Sequence, residues 1–174
     1  DFINLARALA GQAQFILVGT SDPGNPDGID PQEIAASVKK GTVIAPGRQD
    51  NIPVWMALSD IYVYPSYYRE GVPRTVLEAM AMSLPVVTTD TPGCREPVRE
   101  GENGFLVPPR DPLSLEQRVR ELLLDPALRR RMGRRSREMV TESFSEASIH
   151  QRHLDLYAEL DLIEPTDGDA NARA

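Results

Sequence analysis

Between residues 14 and 109, short β-branched apolar runs alternate with stretches whose apolar residues recur at helical spacing. The runs QFILVG (14–19), TVIAPG (42–47), DIYVYPS (60–66), PVVTTD (85–90) and GFLVPP (104–109) predict strands. Helices are predicted at about 31–39, 50–58, 74–83 and 95–99, and DFINLARALAG (1–11) has helical apolar spacing too. Strict alternation of strand and helix implies right-handed crossovers and a mainly parallel sheet covered on both faces. After Pro109 the pattern turns to helix only. DPLSLEQRVRELLLD, DPALRRRMGRRSREMVTESF and SEASIHQRHLDLYAEL follow in order, the first behind an acidic N-cap.

The last twelve residues, IEPTDGDANARA (163–174), hold too few apolar side chains to dock and predict a disordered tail. Residues 1–162 form one expected domain. TSDPGNPDGIDP (20–31) is a turn-rich loop at a strand's carboxyl end. In open parallel sheets ligands bind beyond those ends, so the segments after Val18, Ala45, Tyr64 and Thr89 are where chemistry is expected.

The composition narrows the function classes. At 174 residues with 41% hydrophobic and 26% charged, the chain has the make-up of one soluble globular domain. No apolar run approaches the roughly 20 residues that span a bilayer. The single cysteine, Cys94, excludes an internal disulfide and argues against structural zinc, which makes a reducing cytoplasm the expected location. His150 and His153 lie late in the chain and read as helix-surface residues, so no metal site is expected. A net charge of −7 disfavours nucleic acid. Six arginines between Leu128 and Glu138 are the local exception. Such a run is usually a solvated helix face, and contact with anionic lipid headgroups at a membrane surface is the alternative. The chain opens at Asp1 and enters a helical run at once, as a piece of a longer protein would.

YREGVPRTVLEAMAMSLP (68–85) carries the densest chemistry. It reads as a loop shaped by Gly71 and Pro73, followed by a helix. Thr75 and Glu78 have the Thr-x-x-Glu spacing of a capping box. The first amides of such a helix lack internal partners and its dipole favours an anion, so a phosphate fits near Thr75 and Val76. A carboxylate accepts hydrogen bonds from two adjacent hydroxyls, the pattern of a ribose or hexose diol. Glu78 in the first turn and Glu70 in the loop are thus candidates for the two sides of a bound nucleotide sugar. The plainer alternatives are that Glu78 is a capping-box partner and that Glu70 is a loop charge paired with Arg69 or Arg74.

This stretch resembles the Glu-x7-Glu motif of the retaining nucleotide-sugar glycosyltransferases, family four of the usual classification. The motif stands here as Glu70, seven residues, Glu78. The similarity runs on through AMAMSLPVVTTDTPGCREPVREGENGFLVPPRDP and back through APGRQDNIPVWMALSDIYVYPS and FILVG, over nearly all of residues 1–160. It implies the carboxyl-terminal half of a fold with two Rossmann-like domains, lacking its first strand. Carried over, Glu78 holds the ribose of a UDP-sugar donor, and Glu70 contacts the transferred sugar and steadies the charge that develops as its bond breaks. Thr75 and Val76 cradle the diphosphate, with Gly71 and Arg74 beside it. Val72 and Pro73 line the sugar pocket, and Gly47 and Arg48 meet the base. No metal or other cofactor is implied. YYREGVP and TTDTPGCRE look most like members that build lipid-linked oligosaccharides, capsules or O-antigens. That implies a saccharide or lipid-linked acceptor, bound through an amino-terminal domain, and a place at the inner membrane face.

Three departures qualify the resemblance. Gly71-Val72-Pro73 stands where Gly-Phe-Gly is frequent, and Pro73 removes one N–H from the cradle. Met82-Ser83 stands where a small residue and a glycine are common, so Ser83 is expected in an unfavourable helix-ending conformation. The family's arginine and lysine that neutralise the leaving diphosphate lie upstream of the first helix, outside this sequence. Such cations supply a large electrostatic share of catalysis, so negligible transferase activity is expected of this chain alone. The absent first strand would be central in a doubly wound order. Its loss is expected to bare hydrophobic edges, to be covered by strand exchange, dimerisation or rearrangement. A non-catalytic nucleotide-sugar-binding or assembly module and a nucleotide-sugar epimerase on the same fold are the competing expectations.

Overall fold

A computed structural model describes residues 1–20 and 28–160. Most of the turn-rich loop at 20–31 and the expected tail at 163–174 therefore lie outside the described residues. Five parallel strands alternate with helices in the predicted order: α1 (Phe2–Ala8), β1 (Phe15–Val18), α2 (Pro31–Lys39), β2 (Val43–Gly47), α3 (Ile52–Ala57), β3 (Tyr62–Tyr64), α4 (Arg74–Ala81), β4 (Val86–Thr89) and β5 (Gly104–Val107). Three helices follow, α5 (Pro112–Leu124), α6 (Pro126–Ser143) and α7 (Glu146–Glu159).

Helix starts follow from a repeated local signal. Asp30-Pro31, Asp111-Pro112 and Asp125-Pro126 each place an acceptor at the N-cap and a proline at the first helical position. The aspartate takes an orphan amide while the proline has none to lose. Residues 95–99 form no helix, contrary to the sequence expectation. Turn bonds from Arg95 to Thr91 and from Glu96 to Gly93 do not propagate, because Pro97 supplies no N–H. The side chain of buried Asn103 closes this segment instead, accepting from the Arg99 amide at 2.7 Å and donating to the Pro97 carbonyl at 3.1 Å.

The sheet is in two parts. β1 pairs with β2, Phe15 opposite Val43 and Ile16 opposite Ile44. β4 lies between β3 and β5, with Val87 opposite both Val63 and Phe105. No ladder joins the two parts among the described residues. The break separates β1 and β2 from β3, β4 and β5.

A shared core spans the break. Ile3, Leu5 and Leu9 from the first helical run pack in one cluster with Phe15 and Val43 of one sheet and Val87, Phe105 and Val107 of the other. Leu115, Val119 and Leu122 of α5 complete it. Each such fully buried side chain contributes about 1.5–3 kcal/mol, so helices bind the two sheets without a continuous ladder.

A second cluster docks α4 onto β4 and α6 through Val76, Met80, Val86, Met139 and Val140. α6 comes so close that a Cβ on Gly133 would lie 2.1 Å from the Ser83 carbonyl. Ser83 itself has φ 60°, the unfavourable helix-ending conformation expected of it. α7 buries none of its residues. No described helix is long and apolar enough to cross a membrane.

Candidate functional site

The carboxyl ends of β2, β3, β4 and β5 present Gly47-Arg48, the 65–73 loop, the 90–97 turn and Pro108–Arg110. Gly47 adopts φ 76°, and its carbonyl takes the Gly19 amide at 3.0 Å, which ties the β1 and β2 ends together. Arg48 beyond it is exposed.

The loop after β3 is held from β4. Thr88 Oγ1 donates to the Tyr64 carbonyl at 2.7 Å, and Thr89 Oγ1 donates to the Ser66 carbonyl. Gly93, at φ 83°, lets the 90–97 turn close on the backbone of Glu70 and Gly71, where an added Cβ would lie 2.3 Å from the Glu70 carbonyl. An ion pair from Arg95 to Asp90 at 2.9 Å braces that turn. The TTDTPG stretch thus fixes the loop that carries Glu70.

Glu70 is paired with neither Arg69 nor Arg74. The Tyr64 hydroxyl donates to its Oε1 at 2.9 Å, and the Ser66 hydroxyl donates to the same oxygen at 3.2 Å. No described residue donates to Oε2. Burial, then the hydrogen bond and charge of Glu70, push the Tyr64 phenol well above its ordinary range. Tyr64 and Ser66 were not singled out in the sequence. The available signal was Tyr62 and Tyr64 sharing one face of a strand at period two.

Helix α4 begins two residues earlier than a capping box requires. Pro73 is its N-cap and no side chain caps it; Thr75 lies inside the helix. Glu78 is therefore no capping-box partner, and it pairs with Arg74 at 3.2 Å across one turn. The Val76 amide is engaged by the Pro73 carbonyl at 3.0 Å. Among the described residues the amides of Arg74 and Thr75 have no acceptor and form the open helix tip. Gly71 is exposed, Val72 half-buried and Pro73 buried at its base.

Burial raises the pKa of the Tyr62 phenol, and the charges of Glu78 and then Glu70 add to the rise. The site joins an open amide pair to two partly exposed carboxylates, an arrangement suited to an anion flanked by polyols.

A half-sheet flanked by helices with a polar site at its carboxyl edge is the architecture of one Rossmann-like domain of the two-domain glycosyltransferase fold. Residues 2–125 match the family described as Glycosyl transferases group 1, and the chain belongs to that family as a carboxyl-terminal domain. It is 31% identical over 160 residues to the N,N'-diacetylbacillosaminyl-diphospho-undecaprenol alpha-1,3-N-acetylgalactosaminyltransferase of Campylobacter jejuni, covering 90% of this chain and 40% of that one. It is 39% identical over 101 residues to the putative glycosyltransferase EpsD of Bacillus subtilis, covering 58% of this chain and 26% of that protein. In three dimensions it resembles HepE of Anabaena in complex with UDP, with TM-score 0.82, 25% identity, and coverage of 91% of this chain and 44% of that one. The sucrose-phosphate synthase of Thermosynechococcus elongatus matches with TM-score 0.77 and 32% identity, covering 92% of this chain and 42% of that one. The chain thus spans less than half the length of these relatives.

Proposed function

We propose that the chain is the donor-binding domain of a retaining glycosyltransferase that moves a sugar from a UDP-sugar to a saccharide or lipid-linked saccharide. The observation that carries this is an uncapped helix tip with open Arg74 and Thr75 amides, Glu78 one turn along that helix, and Glu70 fixed through one oxygen by Tyr64 and Ser66 in the loop before it. The diphosphate sits on those amides, where the helix dipole favours negative charge. Glu78 takes the ribose hydroxyls, exchanging its exposed ion pair with Arg74, which is worth only a few tenths of a kcal/mol. Val72 and Pro73 line the sugar pocket. Gly47 and Arg48 meet the base.

Glu70, held through Oε1, turns Oε2 toward the sugar and steadies the positive charge that grows at the anomeric carbon as the bond to the diphosphate breaks. No metal or organic cofactor has a part in this scheme. The UDP complex of the Anabaena protein supports the choice of nucleotide. The diphospho-undecaprenol substrate named for the Campylobacter enzyme supports a lipid-linked acceptor. The chain spans less than half the length of its relatives, and alone it is expected to turn over no donor; turnover of UDP-glucose in an acceptor assay would contradict that.

Calorimetric titration of the chain with UDP, GDP and ADP tests the assignment. UDP binding at least tenfold tighter than either purine nucleotide is expected. Equal affinities would remove the uridine preference, and no binding by any of the three would remove the donor role.

A further inference from the structure

Arg110 stands apart from the other cations at the ligand edge. Its backbone has φ 61°, the left-handed region where side chains other than glycine are strained. Glycine would fit there freely, so an arginine is held against a steric cost, and such outliers gather at functional sites. Its guanidinium carbon lies 4.6 Å from the ring centroid of Tyr67, which in turn stacks on Tyr68 at 4.9 Å. Arg118 makes a similar stack on Phe105 at 4.5 Å, but it also pairs with Glu100 and Glu121. Among the described residues no carboxylate pairs with Arg110.

The place is as telling as the state. Arg110 follows the carboxyl end of β5, and Tyr67 lies in the same loop as Glu70. The stack therefore reaches across the end of β4 to the rim of that loop. A guanidinium held over an aromatic ring is restrained and loses less freedom on binding than one free in solvent. Its planar fork of donors matches the two oxygens of a phosphate or carboxylate.

We propose that Arg110, stacked on Tyr67, is an oxyanion-recognition site for a phosphate or carboxylate carried by a saccharide substrate. Two sources fit this chemistry, the donor's diphosphate and an acidic or phosphorylated acceptor sugar. Only the description of the ligand as a saccharide substrate rests on the donor-domain assignment.

The test follows the Arg110 Nε–Hε signal by NMR while the chain is titrated with glucose 1-phosphate, glucuronate, UDP and neutral methyl glucoside. A saturable shift with one or more of the charged ligands and none with methyl glucoside is expected. Affinity for the active ligand should fall at least fivefold in Arg110→Gln. A shift confined to glucose 1-phosphate or glucuronate assigns the site to the acceptor; a shift with UDP, weakened in Arg110→Gln, assigns it to the donor. Arg110→Gly should melt above the parent while losing the response, which separates lost recognition from lost folding. A charged saccharide that moves Arg110 while UDP binds nowhere would sink the donor assignment and leave the anion site standing. An Arg110 signal indifferent to all three charged ligands, or undiminished binding in Arg110→Gln, overturns the proposal. So does an Arg110→Gly variant that melts no higher than the parent.

Discussion

The Tyr64 hydroxyl donates to Glu70 Oε1 at 2.9 Å, so the last residue of β3 aims a carboxylate that lies six positions further along the chain. The bond joins a rigid strand to a loop, and it fixes one oxygen while leaving the other free. A hydrogen bond to a charged group is worth about 1.5–3 kcal/mol when shielded, and less in this exposed setting. Tyr64→Phe is therefore expected to leave UDP affinity unchanged and to lower the added affinity of UDP-glucose over UDP by roughly 3- to 10-fold. Competition titration of the two ligands on parent and variant measures this. An unchanged ratio would make Tyr64 a bystander.

The same contact has a signature at high pH. Burial first, then the bond and charge of Glu70, raise the Tyr64 phenol in the folded protein above its unfolded value of 10.0. A group raised in this way contributes stability that is fully present below the unfolded value and is lost as pH rises through the folded one. Melting temperature should hold up to about pH 10 and decline above it. Tyr64→Phe should make that decline shallower without abolishing it, because Tyr62 is shifted in the same direction. Thermal melts between pH 8 and 12 on both proteins test this; superimposable curves would contradict it.

Gly93 is the point where the 90–97 turn meets the loop that carries Glu70. Gly93→Ala forces a Cβ to within 2.4 Å of the Glu70 and Gly71 carbonyls, at a backbone angle alanine disfavours. A loss of about 2–3 kcal/mol in urea unfolding is expected, together with weaker UDP-glucose binding. A variant within 0.5 kcal/mol of the parent would mean that the two loops do not touch in solution.

Ser83 offers the reverse experiment. Its φ of 60° costs about 1–2 kcal/mol relative to an ordinary conformation, and glycine relieves the strain. Part of the gain is offset because glycine loses more freedom on folding. Ser83→Gly should stabilise the chain by about 1 kcal/mol, with UDP affinity untouched. A lower melting point would refute this.

Much of this fold was legible because period and punctuation agreed. PVVTTD lies between a proline and a turn and became β4, buried at every position. Pro31 to Lys39 formed the predicted helix because Asp30 and Pro31 mark its start. The failures came where one residue decided between local alternatives. Pro97 turned an expected helix at 95–99 into a turn, and Pro73 shifted the start of α4 so that Thr75 could not cap it. The pairing of Glu70 with Tyr64 and Ser66 was out of reach because the sequence gives no loop path. Nor could spacing show that Thr88, Thr89 and Gly93 clamp that loop, since those contacts join segments more than twenty residues apart.

The central claim is that Glu78 holds the ribose of UDP while the tip of α4 holds its phosphates. Calorimetric titration of UDP into the parent and into Glu78→Gln, with thermal melts of both, tests it most directly. The substitution keeps the shape and removes the charge, and the exposed pair with Arg74 contributes at most about 0.5 kcal/mol to stability. UDP affinity is predicted to fall at least tenfold, with melting temperature nearly unchanged. Equal UDP affinity in the two proteins would contradict the account.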